Sequence, residues 1–522
     1  MRREAKTPVG ERAYANGAWR DLRAFSAVGL SAVNLTMAFT LALATGASIA
    51  IGQGLLALVL IATGMAIIVG LVNWRWSVYG LVAYLPFSGI AILATYPSTA
   101  SAVATVQEGW AYDAAVLLKD LLFVVPAYLG FLVYHLSHRR PIGITNAPVM
   151  PMVMLALIVL AQVFNPALPS LLVGLIGAKV WLFYIPLFFL GYHLVERRRD
   201  VVTLLSVMVA ASVVPLVLGV VEALLLNGGR ADFVYGLYGD AAGPATQNLA
   251  EIALEGGGII RRVPSTFSFV TQYFVFTAAM VALSYGLWRS VPDGQLRRLG
   301  QMMWPLALVA ALSSGARVAF VLIPVLVGLL LLLDARRRMV GLLSAPVVLG
   351  FALIGVVAAL GATVGTVSGH IAGVALEEFP IIVVEGFRSA ISETWVGLGA
   401  GIDTSAARHA FPGQAGTVGI NGVWQESWYV KVIIELGVGG AVAVALLFGG
   451  VIRQGFRAWR MVDDRLLKGA STGMLAFLLW ILLANIKGQY LDLDPANVYF
   501  WLIAGVLAKL PVLGVSLNAR GG

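Results

Sequence analysis

Long apolar stretches alternate with short polar ones along almost the whole chain. Runs such as Val201–Leu226, Val318–Leu333 and Val340–Ala362 are apolar on every side, not at alternate positions or along one stripe. A helix that is hydrophobic all round belongs in lipid or deep in a large core, and about 20 such residues cross the hydrocarbon layer. A spanning barrel would alternate polar and apolar residues instead. The pattern predicts an all-α, polytopic membrane helical bundle. Its roughly fourteen spans lie near 25–46, 51–72, 77–97, 114–134, 148–165, 176–195, 201–226, 267–287, 302–315, 318–333, 340–362, 427–452, 470–486 and 497–512. One transmembrane domain over 25–512 then sits between polar tails at 1–24 and 513–522.

Most polar intervals are short, but those at 227–266 and 363–426 are long. Long ordered loops are usually functional. The second, between spans 11 and 12, carries Gly397-Leu-Gly-Ala-Gly401 and re-enters the apolar pattern through Glu426-Ser-Trp-Tyr-Val-Lys431-Val-Ile-Ile-Glu435-Leu-Gly437. The intervals 98–112 and 166–177 read as loops or as re-entrant pieces.

Composition agrees: of 522 residues, 59% are hydrophobic and 12% charged, which excludes an ordinary soluble domain. With no cysteine, thiol catalysis, disulfides and Cys-based metal sites are ruled out. The net charge of +9 does not point to nucleic acid, because its placement follows the spans. With a cytoplasmic N-terminus, the inner segments collect the N-tail basics, Arg75, Arg139–Arg140, Arg197–Arg199, Arg289/Arg297/Arg298, Arg336–Arg338, Arg453–Lys468, Lys509 and Arg520. Acids show the reverse bias. The positive-inside rule then predicts cytoplasmic termini and two outward-facing long loops. Ala42-Leu-Ala44 faintly resembles a cleavage site, but the long basic n-region predicts an uncleaved first span. The inner loops are too short for a cytoplasmic catalytic domain.

The remaining basic residues are Lys119, Lys179, Arg230, Arg261, Arg262, Arg317, Arg388, Arg408, Lys431 and Lys487. Charges at membrane depth are costly and mark candidate sites. Arginine clusters bind phosphate through bidentate, charge-assisted bonds, so a basic outer rim suits a lipid-linked diphosphate. The competing reading has these side chains snorkel, or pair with acids such as Asp120 or Glu435. Glu426 is the leading candidate base: a carboxylate in a partly dry site takes a proton more readily. Its alternative is a helix N-terminal acid favoured by the macrodipole. Lys431 and Glu435 stand four apart and suit a helical ion pair. Glu222, inside a span, reads as a buried hydrogen-bond acceptor. The five histidines show no metal-ligand spacing, Asp492-Leu-Asp494 alone is too little for a metal, and Gly256–Gly258 lacks the context of a P-loop.

Several stretches together resemble the O-antigen ligase and Wzy-type polysaccharide polymerase superfamily of bacterial membrane glycosyltransferases. They are Arg262-Val-Pro-Ser-Thr266-Phe267 just before a span, Ser313-Ser-Gly-Ala-Arg317, Gly397-Leu-Gly399-Ala-Gly401, Glu426 to Gly437 with Glu435 two before that glycine, and Gly174 to Lys179. They cover roughly 110 to 440. Glu426 stands where ligases have His, and Val270-Thr271 replaces a frequent Pro-Asn. The first of these departures favours a polymerase over a lipid A ligase.

The resemblance implies a GT-C-type bundle in the bacterial cytoplasmic (inner) membrane and metal-independent, inverting transfer on the outer face. The implied donor is an undecaprenyl-diphosphate-linked oligosaccharide, and a glycan is the acceptor. No cofactor is implied. A chain-length regulator and a flippase of the same pathway are the implied partners. Chemically, the departing lipid diphosphate needs fixed positive charge and the acceptor hydroxyl needs a base. Arg262, Arg317 and Arg388 are the expected diphosphate ligands, with Lys179 in support and Glu426 as base. Trp424, Trp428 and Tyr429 are candidates for stacking on sugars, or for an interfacial belt. The alternatives are a ligase or protein O-oligosaccharyltransferase, distinguished by the acceptor, and a polysaccharide or lipid-linked sugar transporter or flippase. Transporters often show inverted repeats, and no convincing repeat occurs here.

Overall fold

The structure is a computed structural model that describes residues 54–96, 106–144, 147–253, 259–334, 384–404 and 426–518. The expected spans 25–46 and 340–362, both chain termini, and Trp424 lie outside the described residues.

Nearly every ordered element is a helix. The first are α1 (Gly54–Val72), α2 (Trp74–Tyr84), α3 (Ser88–Ala94), α4 (Val106–Lys119), α5 (Val125–Ser137), α6 (Val149–Val163), α7 (Leu171–Leu182), α8 (Leu187–Leu194), α9 (Arg198–Ala211) and α10 (Val213–Asn227). The interval 227–266 is not a bare loop. It holds α11 (Ala231–Leu237), α12 (Gly239–Ala250) and a short antiparallel hairpin, β1 (Glu251–Ala253) with β2 (Ile259–Arg261). Then come α13 (Val270–Ser290), α14 (Gln295–Leu312), α15 (Ala319–Leu333), α16 (Gly386–Glu393), α17 (Trp428–Met461), α18 (Arg465–Ala484) and α19 (Ala496–Asn518).

Among the described residues, eight helices are long and apolar enough to cross a membrane, and three shorter apolar helices accompany them. The chain is thus a helical membrane protein. The count differs from the expected fourteen for visible reasons. Two of the expected spans lie outside the described residues. The expected span at 302–315 belongs to α14, which begins in the polar Gln295-Leu-Arg-Arg298 and is not one of the eight. The expected span 201–226 is one crossing of 30 residues, Arg198–Asn227, divided at Ser212 into α9 and α10. Helix α7 starts at Leu171, inside the interval read as a loop or re-entrant piece.

Helix α13 forms the axis of the bundle, with 89% of its apolar window buried. Along α18, Gly469 and Gly473 stand four apart, and a Cβ at either would strike the backbone of α13 at Arg289 or Ala282. Small residues at this spacing let two helices approach within backbone contact, where dispersion holds them without a hydrophobic drive from water. The outer surfaces carry exposed Leu132, Leu136, Leu157, Leu160, Leu224 and Leu446, as helices facing acyl chains do.

The described ion pairs sort into two sets. Arg75 and Arg140 meet Glu196, Arg198 meets Asp464, and Arg289 meets Asp334. At the other helix ends, Lys119 meets Asp120 and Asp494, Lys179 meets Asp120, Arg261 meets Glu251, Lys431 meets Asp492 and Lys487 meets Glu426. None joins a residue assigned to the inner side with one assigned to the outer. The native chain has no cysteine, so single introduced thiols report sidedness cleanly. Asp240→Cys is expected to react with a membrane-impermeant maleimide from outside the cytoplasmic membrane, and Arg139→Cys only after that membrane is opened. The reverse labelling would overturn the assigned orientation.

Candidate functional site

The candidate site is assembled from the outer-assigned helix ends, beginning with a backbone seam. After β2 the chain runs Arg262-Val-Pro-Ser-Thr266. The Arg262 amide donates to Ala250 O at 2.8 Å, and the Val263 amide donates to Ser314 O at 3.0 Å. Ser314 belongs to the Ser313-Ser-Gly-Ala-Arg317 turn that ends α14. Gly315 has φ +75, and a Cβ there would lie 2.8 Å from Arg262 Cα. Glycine is therefore required both for the left-handed turn and for the close approach. Two motifs far apart in sequence are thus clamped together, which makes Arg262 and Arg317 neighbours.

Glu222 of α10 supports this seam from below. It is buried and accepts from the Ser265 amide at 2.9 Å and the Tyr238 hydroxyl at 2.7 Å. Ser265 takes φ +52 and donates its hydroxyl to Pro215 O at 2.7 Å. The expectation of a hydrogen-bonding rather than a catalytic Glu222 agrees with this geometry.

The Arg262 guanidinium is held below its ordinary range, first by burial and then by the neighbouring charge of Arg317, while Glu426 acts in the opposite sense. The three charges therefore share one electrostatic neighbourhood. Arg262 donates one Nη2 bond to Leu249 O, while its buried Nε has no acceptor among the described residues. Two neighbouring guanidinium groups repel, and an anion beside them relieves the repulsion and can accept from Arg262 Nε.

Glu426 sits just before α17, with its carboxylate on the Lys487 ammonium. Its side chain is 49% exposed, so it is wetter than a partly dry base was expected to be. One oxygen, Oε2, faces the ammonium, so an acceptor hydroxyl would have to use Oε1.

Gly397-Leu-Gly-Ala-Gly401 does not cradle a phosphate. Its glycines have φ +102, +112 and +91, and four of its five amides are engaged within the protein. Gly397 N donates to Thr394 Oγ1 at 2.9 Å, Leu398 N to Ile434 O at 2.7 Å, Gly399 N to Glu435 O at 3.2 Å and Ala400 N to Gln162 O at 3.2 Å. From the other side, Gln162 Nε2 and Asn165 Nδ2 donate to Val396 O and Gly397 O at 2.7 and 3.0 Å. The segment ties the end of α6 to α17 where Gly437, at φ +70, kinks that helix.

Below the kink lies a buried charge network. Glu435 is fully buried and accepts from Trp181 Nε1 at 2.6 Å, Asp403 N at 2.9 Å and Thr404 Oγ1 at 3.0 Å. Lys431, also fully buried, pairs with Asp492 and lies 5.1 Å from the Trp181 ring centre. The expected Lys431–Glu435 pair is therefore corrected: helical spacing permits it, but Asp492 lies closer, and Glu435 is saturated by neutral donors. Trp428 donates Nε1 to Asp492 Oδ1 at 2.8 Å and is 5% exposed. It is a core residue and not a sugar platform. Tyr429 gives its hydroxyl to Leu482 O at 2.8 Å.

Lys179 is similarly committed, at 2.7 Å from Asp120 in a cluster with Lys119, Asp494 and Tyr184. The pairing with an acid such as Asp120 is thus present at Lys179. Arg388 stands on the exposed side of α16, and no described hydrogen bond or ion pair joins it to Arg262, Arg317 or Glu426. The structure thus gathers Arg262, Arg317 and Glu426, and leaves Arg388 and Lys179 outside that group. It adds Lys487 as Glu426's partner and the segment 485–495 as a hub, through Asn485, Gln489, Asp492 and Asp494. The signal for that hub was a run of polar residues between two apolar spans. No group of His, Asp and Glu able to hold a metal occurs among the described residues.

No protein-family model and no curated protein matches the chain. Its reading therefore rests on its own residues.

A buried ion pair broken from one side leaves an uncompensated charge, at a cost of about 3–5 kcal/mol. Lys431→Met is accordingly expected to lower the thermal midpoint of the purified protein markedly. Adding Asp492→Asn, which keeps the acceptor for Trp428, is expected to restore part of the loss. A single variant as stable as the native chain would contradict the proposed weight of this pair.

Proposed function

We propose that the protein is a membrane glycosyltransferase of the polysaccharide polymerase type, a GT-C-like bundle in the bacterial inner membrane. It acts on an undecaprenyl-diphosphate-linked oligosaccharide at the outer face and joins it to a glycan acceptor, for O-antigen, capsule or exopolysaccharide. The observation that carries this reading is the Arg262–Arg317 pair, two like charges fixed side by side by the Val263–Ser314 backbone bond. In the proposed reaction the acceptor hydroxyl attacks the anomeric carbon, and the bond from that carbon to the diphosphate oxygen breaks. The diphosphate leaves with the electron pair, its charge met by Arg262 and Arg317. Glu426 takes the hydroxyl proton through Oε1.

Further support comes from an apolar groove of about 540 Å³ bordered by Phe387, Tyr429, Leu482 and Ile486. Ile486 precedes Lys487, the partner of Glu426, and the walls of the groove suit an isoprenoid tail. Arg388, on the same short helix as Phe387, takes a peripheral role on the donor in this reading.

Removing one fixed donor to a developing anion typically costs about 10²–10³-fold in rate. Arg262→Ala and Arg317→Ala are each expected to abolish polymer in cells, with lipid-linked repeat units accumulating. Glu426→Gln is expected to do the same. Gly315→Ala, which retains both arginines but forces the turn off the strand, is expected to lower polymer as well. Normal polymer length in Arg317→Ala and Glu426→Gln would sink the proposal. Mass spectrometry of the product identifies the acceptor as a repeat unit, a lipid or a protein.

A further inference from the structure

A polar cavity lies at the inner-assigned ends of the helices. Helices α9 and α10 separate the two sites: Glu196 precedes α9, and the Arg262 loop follows α10. Their 30 residues span about 45 Å. The cavity holds about 160 Å³ and is lined by Trp74, Arg75, Tyr134, Arg140 and Glu196, with His135 and His193 closing it.

Its geometry is that of an anion site with an internal placeholder. Glu196 Oε1 accepts from Arg75 Nη2 at 2.5 Å and lies 3.9 Å from Arg140 Nη1. Each guanidinium also rests near an aromatic ring, Arg75 5.7 Å from the centre of Trp74 and Arg140 5.4 Å from that of Tyr134. Each ring flanks its guanidinium without using the N–H groups, of which only Arg75 Nη2 is engaged, by Glu196. The Arg140 amide donates to His135 O at 2.9 Å, but no hydrogen bond of its guanidinium occurs among the described residues, and that side chain is 55% exposed. One carboxylate thus faces two arginines, and the cavity keeps a net positive charge. His135 and His193 each spend one ring nitrogen on a carbonyl, of Phe131 at 2.9 Å and of Ile142 at 3.3 Å. Their rings, with centres 4.7 Å apart, form a wall.

We propose that this cavity binds a phosphate group. Arg140 and Arg75 are its ligands, and the half-exposed Glu196 swings out as the phosphate enters. The phosphate comes from an anionic phospholipid head at that end of the bundle or from a soluble phosphate. Basic pockets between transmembrane helices bind anionic lipid heads through such contacts, and each basic residue near an anionic surface contributes about 1 kcal/mol. Glu196 is the internal competitor, so its removal acts in the opposite direction to removal of Arg140. A merely structural salt bridge would respond to both changes alike.

The test uses the full chain in nanodiscs of mixed phosphatidylglycerol and phosphatidylcholine, with retained lipid counted by native mass spectrometry. Arg140 is exposed enough to be changed without opening the core. Arg140→Gln is expected to lower phosphatidylglycerol retention about fivefold, Arg140→Lys to lower it less, and Glu196→Gln to raise it, with phosphatidylcholine unchanged. A parallel arm measures protection against thermal unfolding by inorganic phosphate. Variant-dependent lipid retention assigns the lipid source, and variant-dependent protection by inorganic phosphate assigns the soluble one. Equal lipid retention and equal phosphate response in the native chain, Arg140→Gln and Glu196→Gln overturn the proposal. Neither readout depends on glycosyl transfer.

Discussion

Two arginines of like charge are held as neighbours by a backbone seam. The bond from the Val263 amide to Ser314 O, and the fit of Gly315 against Arg262, set their separation before any ligand arrives. Preorganised charge of this kind is costly in the empty protein and favourable when an anion forms between the two groups. The surroundings are arranged to bear that cost. Glu222 holds Ser265 from beneath, α12 gives Arg262 two carbonyl contacts, and α13 anchors the far end of the loop in the most buried helix of the bundle.

Away from that seam, the buried charged groups just described are paired. Lys431, Lys119 and Lys179 find carboxylates, and Glu435 finds three neutral donors. In a medium without water an unpaired charge is far more costly than a paired one. The Asn485–Pro495 segment supplies much of this pairing by reaching back to α17, to α4 and to Asp403, just after the Gly397–Gly401 segment. The glycines of that last segment serve backbone contact, and its amides close the gap between α6 and the kink in α17.

The helical membrane fold was legible because an all-apolar run has few alternatives, and charge parity already sorted the ion pairs that later appeared. Arg262, Arg317 and Glu426 were legible as motifs at span ends. For Lys179 and Trp428 the sequence marks a charge or an aromatic ring at the right depth without marking the partner that contacts it. Asp120 and Asp492 are those partners, and each comes from a distant part of the chain. Lys431 shows the same limit, since spacing along one helix favours Glu435 whereas tertiary packing delivers Asp492. The role of Gly397–Gly401 was hidden because positive-φ glycines serve a phosphate cradle and a backbone seam equally well.

The central claim is that Arg262 and Arg317 together receive a diphosphate. Its most direct test is an experimental structure of the full chain with undecaprenyl diphosphate bound. The account predicts phosphate oxygens within about 3 Å of both guanidinium groups, with the isoprenoid chain entering the groove beside Tyr429 and Leu482. A diphosphate bound elsewhere, with Arg262 and Arg317 bridged only by protein carboxylates, would contradict it.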